Sequence, residues 1–295
     1  MATSTLPAPT AGIPTRGSRI RRLSFTRPNI LGGLGGWLWL AIIIIPLYYV
    51  VVTSLKDQAS YFTENPLALP SSPTLDNYRL VLQNDFVRYF VNSVIVTVGT
   101  VLPVLVICFM ASYAIVRGHG RLLRLTNSMF LLGLAIPVQA VIIPIYFMIT
   151  KIRMYDTLAA LILPSIAFAI PISVLILTTF LRDVPKELFE SMRMDGCTEW
   201  QMAWRLAFPL TRPAIVTVAI YTGLNVWNGF LFPLILTQSP DKRVMPLALW
   251  AFQGEYSVNI PAVLAAVVLS TVPILVLYVV GRRQLLSGLT AGFGK

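Results

Sequence analysis

The sequence predicts an all-α membrane protein of six transmembrane helices carrying a helical hairpin on its cytoplasmic side. Three observations predict it. Of 295 residues, 56% are hydrophobic and only 12% charged, far outside ordinary globular usage. Six stretches, free of charge, are long enough to cross about 30 Å of hydrocarbon as helices: Trp37–Leu55, Tyr89–Val116, Leu125–Thr150, Thr157–Leu181, Pro213–Thr237 and Ile260–Gly281. With the N-terminus inside, 16 of the 23 Lys and Arg fall in the inner segments, the bias that retains basic loops in the cytoplasm.

Residues 1–30 are rich in Pro, Thr, Ser and Arg, too poor in apolar surface to order themselves, and read as a basic cytoplasmic tail. Arg21-Arg22-Leu23-Ser24-Phe25 faintly resembles a twin-arginine export signal. The apolar segment that follows is too long for such a signal and ends at Lys56 with no small-residue cleavage site, so residues 37–55 stay as the first span. Residues 56–88 form an external loop with Pro66, Pro70 and Pro73, long enough for a small lid or a short helix. Residues 89–282 hold the five remaining spans, and residues 283–295 a cytoplasmic tail. Both termini lie inside.

Charge and composition exclude several functions. The net charge of +11 is spread over four inner segments beside lipid rather than over one folded face, so it is topological and does not point to nucleic acid. Cys108 lies in the second span and Cys197 in a cytoplasmic loop; they do not pair, and no metal-ligand spacing occurs. The single histidine, His119, sits in a short basic turn, and no nucleophile–base set accompanies it, so no catalytic residue is assigned. A proton-coupled carrier would need an ionisable group within a span, and none is present, although a sodium site built of carbonyls and hydroxyls would not. A phosphate-cradling loop ending in Lys-Ser or Lys-Thr is also missing, so energy must come from a partner.

The cytoplasmic connection 182–212 departs most from the apolar background. Pro185 suits the first turn of a helix, where Glu187 and Glu190 meet the positive end of the helix dipole. Leu188 and Met192, four apart with Phe189 beside them, give a short apolar face. Gly196 supplies a left-handed stop, and Thr198 with Gln201 makes a capping box that starts a second helix. Trp200, Ala203, Trp204 and Ala207 recur at helical spacing as one apolar stripe. The expected product is a helix–Gly–helix hairpin, either a solvated connector or an interaction module.

Glu190-Ser191-Met192, then Asp195-Gly196, then Phe208-Pro209-Leu210 and Pro213, resembles the EAA loop of binding-protein-dependent ABC importer permeases. Ser191 and Met192 stand where that pattern has two alanines, and Met192 is the bulkier departure. Asn77-Tyr78, Asn92-Ser93, Val226-Trp227-Asn228 and the terminal Gly288-Leu289-Thr290-Ala291-Gly292 resemble the MalG-type carbohydrate branch. The resemblance implies a type I importer half in a bacterial or archaeal cell membrane. It implies partnership with a second permease subunit, two ATP-binding subunits and an extracytoplasmic sugar-binding protein. ATP and Mg would be used by the partner ATPase and no cofactor bound by this chain. Glu190, Ser191, Met192, Asp195 and Gly196 would then dock into the ATPase.

A neutral sugar needs amides and aromatic faces along its path. Tyr221, Asn225 and Asn228 fall at i, i+4 and i+7 of the fifth span with Trp227 adjacent, a polar stripe that either lines a pathway or bonds to neighbouring helices. Gln139, between Pro137 and Pro144, is a further candidate. A glycerol-phosphate substrate would favour a cationic path, which the spans do not offer; polyols stay open beside sugars.

Overall fold

The computed structural model describes residues 30–248 and 258–291. The expected tail therefore lies outside the described residues up to position 29, as do residues 292–295. Helix α1 (Ile30–Ser54) leads into an external segment with α2 (Gln58–Thr63) and α3 (Asp76–Gln83). The core follows as α4 (Phe86–Arg117), α5 (Arg121–Gly133), α6 (Val138–Lys151) and α7 (Leu158–Arg182). Next come α8 (Lys186–Met194), α9 (Glu199–Met202), a π-helical turn over Ala203–Ala207, α10 (Phe208–Leu210) and α11 (Arg212–Trp227). The chain closes with α12 (Leu231–Leu236), a short 3-10 turn, α13 (Met245–Ala248) and α14 (Ile260–Ala291).

The chain divides into two units at Ile45/Pro46, within α1. In the first, the side chains from Gly32 onward are all exposed, as suits a helix whose natural surroundings are lipid. In the second, the described residues include two helices long and apolar enough to cross a membrane unaided, Phe86–Arg117 and Leu158–Arg182, beside the Gly32–Ser54 stretch of α1.

The third expected span is not one helix. Residues 125–150 are divided between α5 and α6, which meet at 103°. Pro137 is the cause: it has extended backbone (ψ 130°), donates no hydrogen bond and biases the residue before it away from helix. The fifth expected span, 213–237, is also interrupted. Helix α11 stops at Trp227, and Asn228–Phe230 turn the chain into α12. A Cβ on Gly229 would stand 3.1 Å from the Val226 carbonyl oxygen, so this tight turn is built around glycine. The sixth span is helical as expected, but the helix continues through residues 283–291, where a tail was expected.

Helix α4 is the centre of the bundle, packing along α7 and against α11. Its seam with α7 is made of small and hydroxyl residues that let the backbones approach. Ser112 Oγ donates to the Val174 carbonyl at 3.4 Å, and a Cβ on Gly99 would meet Ile162 Cδ1 at 2.8 Å. Toward the C-terminal end of α4, Val104, Cys108, Phe109, Val174, Leu177 and Leu181 form a buried apolar cluster with Ala214 and Val218 of α11.

At the other end of the bundle, three polar clamps organise the loops. Buried Asn77 donates to the carbonyls of Ser54 (2.9 Å) and Lys56 (2.7 Å), satisfying the open C-terminal end of α1. Lys56 is itself buried, its Nζ 2.8 Å from the Asn65 carbonyl and 3.3 Å from the Glu64 carboxylate. Asp156 accepts from the backbone N–H of Gln238 (2.8 Å) and Ser239 (3.0 Å), tying the α6–α7 turn to the segment after α12.

Candidate functional site

The connection 182–212 folds as a hairpin. Helix α8 begins after Pro185 and ends at Asp195. Gly196 adopts φ 79°, its N–H donates to the Arg193 carbonyl, and the Cys197 N–H donates to the Met192 carbonyl, both at 3.0 Å. That pair of bonds is a Schellman stop, which reverses the chain within two residues. Thr198 then caps α9: its hydroxyl accepts from the Gln201 N–H at 3.3 Å, while the Gln201 side chain accepts from the Thr198 N–H at 2.8 Å.

The hairpin has an inner and an outer face. Phe189 and Met202 are fully buried, and Met192 packs half-buried on the apolar cluster of α4, α7 and α11. Glu190, Ser191, Asp195 and Gly196 are exposed. Met192, the one bulky departure from the EAA pattern, thus faces the chain's own core, while the remaining members of the set face outward. Leu188, expected on the apolar face with Met192, is instead 41% exposed, and Met194 is 88% exposed. Apolar groups beside carboxylates at an exposed helix end suit a partner surface.

The expected stripe of α9 is only partly inward. Ala203 and Ala207 are buried and Trp204 half-buried, but Trp200 is 61% exposed. Trp200 lies in the first turn of α9, ahead of the π turn at Ala203–Ala207 that holds the inward members.

Tyr113, Arg117 and Glu199, which the sequence pattern did not single out, hold the hairpin to α4. Tyr113 OH donates to the Glu199 carboxylate at 2.9 Å and lies 3.2 Å from the Glu199 carbonyl oxygen. The Arg117 guanidinium sits 4.0 Å from the centre of the Phe189 ring, a cation–π contact. Glu199 also pairs with Arg193 across the turn. The available signal was a Tyr and an Arg four apart at the inner end of a span, one helical turn that must meet something polar.

The pathway candidates separate. A cavity of about 300 Å³ lies among α4, α7 and α11, lined by Ser93, Phe168, Tyr221, Thr222, Asn225 and Phe232 among others. Tyr221 and Asn225 reach it; Asn228 and Gln139 are exposed away from its wall. Trp227 turns inward, 7% exposed, with its ring edge-on to Phe90 at 5.6 Å, so it does not face the cavity. It packs instead in the apolar cluster of Val81, Phe86, Tyr89 and Ala262, from α3, α4 and α14. Asn225 and Asn228 each donate to the carbonyl four residues back at 2.8 Å, within α11 rather than across to a neighbouring helix. Each amide oxygen remains able to accept.

The Asn92-Ser93 pair is a loop clamp. Asn92 Nδ2 donates to the carbonyls of Asp241 and Arg243, both at 2.8 Å, and Ser93 Oγ accepts from the Met245 N–H at 2.8 Å. They secure the segment after α12 to the N-terminal end of α4. Among the described residues, no group of three or more His, Cys, Asp or Glu side chains is placed to hold a metal ion.

A bundle of long apolar helices with an exposed, rigidly stopped hairpin at one end suits a membrane-embedded subunit. Residues 81–285 match the family described as binding-protein-dependent transport system inner membrane component, and the chain belongs to that family. It is 39% identical to a putative ABC transporter permease protein (ORF2) of Caldicellulosiruptor sp. strain Rt8B.4, over 86% of this chain and 92% of the relative. It is 31% identical to the diacetylchitobiose uptake permease NgcG of Streptomyces coelicolor, covering 86% and 85% of the two chains. The trehalose transport permease SugB of Mycobacterium tuberculosis is likewise 31% identical, with coverage of 84% and 91%. Among solved structures, a subunit of a bacterial ABC transporter for import of the acidic polysaccharide alginate superposes with TM-score 0.75 at 19% identity, covering 88% of this chain and 98% of that one. The fold is therefore that of an ABC importer permease.

Proposed function

We propose that the chain is the permease subunit of an ATP-driven carbohydrate importer, supplying half of the translocation pathway and coupling it to a separate ATPase. The observation that carries this reading is the hairpin: Glu190, Ser191, Asp195 and Gly196 exposed at one end, and Phe189, Met192 and Met202 packed on the bundle at the other. A rigid knob of this kind converts movement of a partner into movement of the bundle, because the partner contacts it differently in its two states. The ATP-binding subunits, where ATP and Mg would be used, seat on this knob. A second permease subunit completes the pathway, and an extracytoplasmic binding protein delivers the substrate.

Neutral sugar as the substrate is supported by the relatives that transport diacetylchitobiose and trehalose and by the uncharged spans. Tyr221 and Asn225, with the aromatic faces of Phe168 and Phe232, offer the hydroxyl, amide and ring surfaces a sugar uses. The protein resides in the cell membrane as a multi-pass chain with both termini in the cytoplasm, following its charge bias.

Two experiments test the two halves of this reading. Diacetylchitobiose, trehalose and arabino-oligosaccharides are screened for a rise in the melting temperature of the binding protein encoded beside this chain; a response to none of them, with a response to glycerol phosphate, would overturn the sugar assignment. Glu190→Lys, at an exposed position, abolishes uptake while the protein still inserts; normal uptake would sink the docking assignment.

A further inference from the structure

Helix α4 is held at both ends. Inside, Tyr113 bonds the Glu199 carboxylate of the hairpin at 2.9 Å and Arg117 stacks on Phe189 of the same hairpin. Outside, Asn92 and Ser93 grip the backbone of Asp241, Arg243 and Met245 through three bonds of 2.8 Å each. Between Ser93 and Tyr113 the helix runs on as a single element through Pro103, and the twenty residues separating them span about 30 Å, the thickness of a bilayer core.

The hairpin's covalent connections are less direct. It joins α7 through a turn ending in the extended Pro185 and joins α11 through a π turn followed by a 73° bend. Both routes leave the helical axis before reaching the outer surface, and α11 stops at Trp227. A side-chain clamp onto one continuous helix is the shorter mechanical route from the cytoplasm to the external loop. Close packing of Val104, Cys108 and Phe109 on Val174, Leu177 and Leu181 braces the helix past Pro103 in the half nearer the hairpin.

We propose that α4 carries displacement of the hairpin to the external segment around Asp241, with Tyr113 as the positioning residue that engages Glu199 and Asn92 as the residue that delivers the movement outside. This rests on reading the hairpin as the ATPase dock. Tyr113 touches neither nucleotide nor substrate; it acts through Glu199.

The test uses the assembled transporter in membrane vesicles with Asp241→Cys, an exposed position, as reporter. A membrane-impermeant maleimide added to right-side-out vesicles reads its labelling rate with and without Mg-ATP and vanadate loaded inside. With the clamp intact, the rate changes about fivefold or more, the lower end of ordinary allosteric coupling. Tyr113→Phe keeps the ring against Phe109 and Phe189 yet loses the bond to Glu199, so the ATPase still co-purifies while the labelling response disappears. Glu199→Ala behaves the same way, and Glu199→Gln, which keeps an acceptor for the Tyr113 hydroxyl, restores the response. Glu190→Lys, by contrast, loses the ATPase itself. ATPase retained by Glu190→Lys overturns the docking reading and the proposal with it. ATPase lost there, with a full response in Tyr113→Phe and Glu199→Ala, overturns the α4 route alone. No response even with the clamp intact also overturns that route.

Discussion

Tyr113 reaches from the last turns of α4 to Glu199, the first residue of α9, and contacts both its carboxylate (2.9 Å) and its carbonyl oxygen (3.2 Å). The phenol is nearly buried while the carboxylate keeps 55% of its side-chain surface exposed, so the bond lies at the boundary of the packed bundle. A double-mutant cycle with Tyr113→Phe and Glu199→Ala, read from thermal unfolding in detergent, is expected to return a coupling energy of about 1 kcal/mol, the usual worth of such a bond. Strict additivity would show that the contact contributes nothing.

Gly196 has nothing within 4 Å of where a Cβ would stand, but its φ is 79°. Substitution therefore acts through backbone strain rather than collision. Gly196→Val is expected to cost more than Gly196→Asn, because asparagine tolerates the left-handed region at a cost smaller than the ~1–2 kcal/mol of other side chains. Equal melting temperatures for the two variants would contradict the Schellman stop as the origin of the effect.

Met192 distinguishes core from docking surface. Because its side chain packs on the α4–α7–α11 cluster, Met192→Ala is expected to lower stability by about 2 kcal/mol, the low end for a partly buried methionine truncation. Co-purification of the ATPase should persist where the variant folds. A loss of ATPase at unchanged stability would place Met192 on the outer surface instead.

Asn77 and Asn92 each satisfy two backbone carbonyls through one amide group. Replacing either by Ala leaves those acceptors without their donor at a cost of about 1–3 kcal/mol each. Replacement by Asp should be worse, since a carboxylate cannot donate to a carbonyl. Thermal melts of the three forms of each position check the order.

Asp156 gives a dependence on pH. Burial alone would raise its carboxyl, but hydrogen bonds from the Ser239 hydroxyl and the N–H groups of Gln238 and Ser239, with Lys242 nearby, hold it below the ordinary carboxylate range. A carboxyl depressed in the folded state contributes stability that is present above its unfolded value, about 3.9, and is lost as pH falls through the lower folded value. Melting temperatures taken from about pH 6 down to pH 3 should therefore converge for the native chain and Asp156→Asn at the acid end. A gap that stays constant over that range would rule out the carboxylate as its source.

The hairpin was legible because its signals are local. Gly196 must take a positive φ, Thr198 and Gln201 lie at capping distance, and Pro185 can open a helix, so each feature follows from a few neighbouring residues. The breaks at Pro137 and at Asn228–Phe230 were not legible from hydropathy, which counts apolar residues and is blind to the direction of the helix that carries them. Membrane helices also tolerate proline often enough that Pro137 could not be told in advance from Pro164 or Pro171, which remain inside α7. Trp227 lies off the cavity for a different reason: its neighbours Asn225 and Asn228 are polar, yet a helix puts adjacent residues about 100° apart. The Tyr113–Glu199 contact joins residues 86 apart in sequence, so no periodicity could reveal it.

The central claim, that the hairpin seats in an ATPase, is tested most directly by a photocrosslinking side chain placed at Ser191 in the assembled transporter in its membrane. Ser191 is exposed on α8 between Glu190 and the inward Met192. Illumination should yield a covalent adduct with the ATP-binding subunit, its yield changed by Mg-ATP and vanadate, and no such adduct from Phe62, which is 70% exposed in the external segment. An adduct absent at Ser191, with the ATPase present in the complex and captured from another position, would contradict the account.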